Sequence, residues 1–77
     1  MNADRRKTLT EIEDQISSLK DELQAVLDEE QEAFDNLPEG LASSDRAQTM
    51  EDAITAIEEA IDALDSACSS ILDAKGG

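Results

Sequence analysis

The chain has 77 residues, with 20 acidic and six basic side chains and a formal charge of −14. That length allows one small domain, and at this size a single core is marginal, so self-association is the usual remedy. No apolar run approaches the ~18 residues of a membrane span, a surface this acidic repels nucleic acid and anionic membrane, and the lone Cys68 excludes an internal disulfide framework.

The sole aromatic is Phe34, and there is no histidine, tyrosine or tryptophan. Strands favour aromatic and β-branched residues, whereas this chain is rich in Ala, Glu, Asp, Leu, Ile and Gln. Composition alone therefore points to an all-α fold. The charge is unevenly spread. Arg5, Arg6 and Lys7 stand together near the start, and after them three cations face 19 carboxylates, leaving −16 on residues 8–77. No apolar stretch follows the basic triplet, so a signal peptide is not expected. A single thiol fits a reducing compartment, and a cytoplasmic setting is expected.

The first helix is expected over about residues 4–36. Thr8 or Thr10 could cap it, but a start near Asp4 is preferred, which places the basic triplet in the first turn against the helix dipole. Leu9, Ile12, Ile16, Leu19, Leu23, Val26, Glu30 and Ala33 alternate in spacings of three and four, the a and d positions of four heptads. Leu27 and Phe34 fall at e and add a smaller apolar patch. Pro38 ends the helix, because the residue before a proline is pushed out of the α region.

The turn is expected over 37–43, with Gly40 able to take a positive φ. Leu37 and Leu41 flank it and should plug that end of the core, over Phe34. The second helix, about 44–75, starts at Ser43 or Ser44 as N-cap. Its repeat runs Ala47, Met50, Ile54, Ile57, Ile61, Leu64, Cys68, Ile71. Lys75 suits the C-terminal dipole and Gly76 a stop.

A short connection makes the helices antiparallel neighbours. Folding symmetrically about the turn layers Ala33 on Ala47, Glu30 on Met50, Val26 on Ile54 and Leu23 on Ile57. Leu19 then meets Ile61, Ile16 meets Leu64, Ile12 meets Cys68 and Leu9 meets Ile71. Ala53, Ala60, Ala67 and Ala74 fill four successive g positions of the second helix, with Ala56 and Ala63 beside them. Such a stripe lets another helix approach closely, although Ala is also simply a good helix former. With Leu27 and Phe34 it forms the expected oligomer interface. The expected assembly is an antiparallel dimer making a four-helix bundle.

Candidate chemistry is sparse. Asp28-x-Glu30-x-Glu32 with Glu39 has part of the spacing of a calcium loop, but Ala33 stands where the sharp turn requires Gly, and the heptad accounts for the same residues. No metal or cofactor is expected. Glu30, at an a position, is read as pairing with Arg46 to fix register, or else as marking a splayed, wet part of the bundle. Cys68 is read as packing, since no cation stands beside it to lower its pKa. Nothing pairs a nucleophile with a base, so an enzyme is disfavoured.

Asp14, Asp21, Asp28 and Asp35 occupy four successive f positions of the first helix and form a candidate acidic binding face. Their ~10.5 Å spacing is coarse against the ~3.4 Å charge spacing along a DNA strand. A solvated outer face is the plainer reading.

The run Asp28–Glu39, DEEQEAFDNLPE, followed by Ser44-Asp45-Arg46 and an acidic Ala/Ile helix, resembles short acidic two-helix proteins of phages, prophages and plasmids that carry no assigned activity. The resemblance implies a mobile-element origin and a place in the bacterial host cytoplasm. The expected function is then non-enzymatic binding, as an inhibitor or decoy of a basic host protein. The alternative is a structural homo-oligomer or scaffold.

Overall fold

The computed structural model describes residues 1–41 and 44–76. Two helices, α1 (Ala3–Asp35) and α2 (Asp45–Ala74), are joined through a single 3₁₀ turn, Glu39–Leu41. They form an antiparallel hairpin measuring 59 × 15 × 14 Å. Among the described residues there is no strand, and no helix is long and apolar enough to cross a membrane.

The cap of α1 is Asn2, not Thr8 or Thr10. Its side-chain oxygen accepts the Arg5 amide at 2.8 Å. The two threonine hydroxyls instead donate back to the carbonyls of Asp4 and Arg6, already inside the helix. Ser44 caps α2 with extended backbone and accepts the Ala47 amide at 3.3 Å; Ser43 lies outside the described residues. Gly76, at φ 81°, ends α2 in the left-handed region that a side chain disfavours.

Gly40 does not take the positive φ expected of it, because it lies inside the 3₁₀ turn. A Cβ there meets no described atom within 4 Å. Gly40→Ala should therefore raise the unfolding free energy by about 0.4–1 kcal/mol, through the less flexible unfolded chain. Urea denaturation with an unchanged m-value checks this.

The seam between the helices departs from the simple heptad reading in rotation. On α1 the half-buried side chains are Leu9, Glu13, Ile16, Lys20, Leu23, Leu27, Glu30 and Phe34. These are a and e positions, not a and d, so α1 is turned by roughly 50°. Leu27 and Phe34 consequently belong to the hairpin's own seam. The d column faces outward: Ile12 is 37 % exposed, Leu19 50 % and Val26 48 %. The charged e residues supply the reason. Glu13 pairs with Lys75 and Lys20 with Asp65, both on the α2 side.

The register departs as well. Lys20 with Asp65, and Lys75 with Thr10, each sum to 85 in residue number. Lys75 with Glu13 sums to 88. The symmetric layers all sum to 80, so α2 is displaced along α1 by about one heptad. A heptad pattern is unchanged by a shift of seven, so periodicity cannot choose between the two. The displacement brings Ala47 level with the turn around Gly40, where it is 2 % exposed. At the other end, residues 1–8 of α1 run past the end of α2 and are exposed throughout.

Candidate functional site

The two flanks of the seam differ in chemistry. One is polar. An open depression there is lined by Gln24, Leu27, Glu58, Ile61 and Asp62, and its walls offer two carboxylates and an amide. Gln24 and Glu58 fix the geometry, since the columns that contain them must share this flank. The opposite flank is then formed by the d column of α1, with Ile12, Leu19 and Val26, and the alanine column of α2. Ala53, Ala60 and Ala67 are half-buried beside the seam, and Ala74 is exposed.

Asp14, Asp21, Asp28 and Asp35 all stand exposed along α1. Asp28 and Asp35 accept hydrogen bonds from the side-chain amides of Gln24 and Gln31, at 3.0 and 3.1 Å, one turn earlier. These amides hold the carboxylates along the helix surface. At 100° per residue, columns d and f lie about 160° apart around α1. The acidic column and the apolar column therefore face nearly opposite directions.

Two ion pairs join the helices among the described residues. Lys75, at the C-cap of α2, donates to Glu13 and to the Thr10 hydroxyl at 3.2 Å, and both charged side chains are largely buried. Lys20 pairs with Asp65 near mid-helix, more openly. The Lys20 ammonium is held above its ordinary pKa of 10.5, first by its hydrogen bond to Asp65 and also by the nearby Asp65 charge, against an opposing effect of desolvation. A raised lysine pKa means that the pair's stabilisation is complete below the ordinary value and disappears as pH rises through the shifted one. Alkaline titration of thermal stability should show this loss, and a Lys20→Met chain should lack that component.

Glu30 and Arg46 do not pair. Glu30 is half-buried at an a position, but the displaced register sets it level with Ile57, while Arg46 is exposed beside the turn. Cys68 is a free, half-buried thiol on the seam face of α2. Asp28, Glu30 and Glu32 lie on one continuous helix, not in a loop able to wrap an ion. Among the described residues, no three acidic or cysteine side chains converge on a metal-sized position.

The sequence reading missed Glu13 and Lys20. Both sit in the same column as Leu27 and Phe34, and each finds an opposite charge on α2. That combination of charged and apolar residues in one column was the available signal. Comparison of the chain with protein families, with curated proteins and with solved structures finds no match.

Proposed function

We propose that this chain is a non-enzymatic helical binding protein that engages a basic protein surface through the column Asp14, Asp21, Asp28, Asp35. The observation that supports this reading is the exposure of all four carboxylates on one continuous helix, facing away from the apolar flank. A rigid line of like charge attracts a complementary surface over a Debye length of about 8 Å at physiological salt. The mobile-element resemblance supports a partner in a bacterial host cytoplasm, where the protein would act as an inhibitor or decoy.

The test uses a lysine-rich basic protein as probe. Converting the four aspartates to asparagine should weaken binding much more than converting Asp52, Glu59, Asp62 and Asp73 on α2 to their amides. Equal losses from both sets would mean that charge count alone governs binding, and the acidic column would lose its role. Binding should also weaken steeply with added salt.

A second reading is a homo-oligomer, a four-helix bundle made of two hairpins, whose role is assembly. The exposed Ile12, Leu19 and Val26 favour it. Large apolar side chains in a regular exposed line mark an interaction surface more than a solvated one.

A further inference from the structure

We propose that a second copy of this chain covers the flank bearing Ile12, Leu19 and Val26, its own large residues lying against the alanines of the first. The inference rests on the oligomer reading and specifies its geometry. It follows from the register. A residue-number sum of 86, within the observed range of 85 to 88, sets Ile12 level with Ala74, Leu19 with Ala67 and Val26 with Ala60. At the turn end the same sum sets Ala33 beside Ala53.

Each of the three main levels thus holds one large residue on α1 and one small residue on α2. The flank is a ridge beside a valley. Such a surface is complementary to itself when a two-fold axis runs along the hairpin, because α1 of each copy then lies over α2 of the other. Every layer becomes two large and two small side chains, the alternation that fills a helical core without holes or clashes. The loops of both copies fall at one end. Between Ile12 and Ala33 on α1, and between Ala53 and Ala74 on α2, neither column carries a charge; Arg5 and Arg46 extend the two columns only beyond the ends of the paired stretch and are exposed, so closing the flank buries no ion. The acidic columns remain outside.

Area agrees with this occupant. The shared length of the helices, about 45 Å from the 30 residues of α2, and a width near 15 Å give on the order of 700 Å² per copy, close to the ~800 Å² per partner of a stable complex. The hairpin alone also has little interior. Among its described residues only Ala47 and Ile54 are buried apolar side chains.

The test is mixing of complementary variants. Leu19→Ala empties a layer of four residues and Ala67→Leu overfills it, so each alone should raise the dimer dissociation constant by about tenfold or more. In the mixed dimer the same layer again holds two large and two small residues. Native mass spectrometry should find the heterodimer well above the statistical half. Circular dichroism checks that each chain is helical, and the pair Val26→Ala with Ala60→Leu repeats the experiment one level away if either first variant fails to fold. A wild-type chain that stays monomeric at high concentration would overturn both the oligomer reading and this proposal. A stable wild-type dimer whose mixed variants show no preference would overturn the ridge-and-valley packing and leave the oligomer reading standing.

Discussion

Replacing Ile54 with alanine will lower the unfolding free energy by about 2–3 kcal/mol, the lower part of the range for deleting a buried Ile or Leu side chain. Ile54 is the larger of the two buried side chains among the described residues, at 9 % exposure. In the observed register it stands level with Phe34, the only aromatic. Three carbons leave the site on substitution, and α1, one continuous helix of 33 residues, fills such a gap only in part. A domain of this size has a total stability of roughly 4–12 kcal/mol, so one substitution removes a substantial share. Urea denaturation at fixed protein concentration measures it. A loss under 1 kcal/mol would show that the turn end of the seam is not where the hairpin is held. Val26→Ala, on the open flank, should cost the isolated hairpin far less.

Reversing the charge of Lys75 should be the next most damaging change. Lys75→Glu sets a carboxylate against Glu13 and removes a donor from Thr10, at a place where water covers little of either charged side chain. Two like charges near one another, partly withdrawn from water, should cost about 1–2 kcal/mol, below the 3–5 kcal/mol of a fully buried broken pair. Restoring opposite charge with Glu13→Lys in the same chain should recover most of the loss. Recovery matters more than the loss itself, because it occurs only if residues 13 and 75 are neighbours. On the symmetric register Lys75 would lie level with Arg5 and the second substitution would bring no rescue. Thermal melts of the two single variants and the double variant form the cycle.

The helices themselves were legible in the sequence. Spacings of three and four, Pro38, Ser44 and Gly76 place both elements to within a residue of their observed ends. The relation between them was not legible, for two reasons. On α1, apolar residues occupy three columns, with Leu27 and Phe34 in one and Ile12, Leu19 and Val26 in another, so the pattern does not say which pair of columns faces α2. Glu13 and Lys20 decide it, and their role depends on partners more than 40 residues away in sequence. The axial register is hidden by the repeat itself, since a shift of seven brings equivalent positions together. The alanine column was visible as a regularity. Its companion ridge was not, because Ile12, Leu19 and Val26 were assigned to the hairpin seam. The acidic column was fully visible, because exposure of an outer heptad position does not depend on register.

The unaccompanied start of α1 has a thermal consequence. Residues 1–8 have no helix beside them, so their order rests on local hydrogen bonds: those of the backbone, the Asn2 cap and the threonine hydroxyls. Isolated helical turns are marginal in water, and amides there will exchange with solvent through local fraying, whereas those between Ile16 and Phe34 will exchange only when the hairpin opens. Three of the six cations ride on this fraying segment. On warming, the positive end of the molecule therefore loses its fixed geometry first, while the carboxylates further along remain held in place.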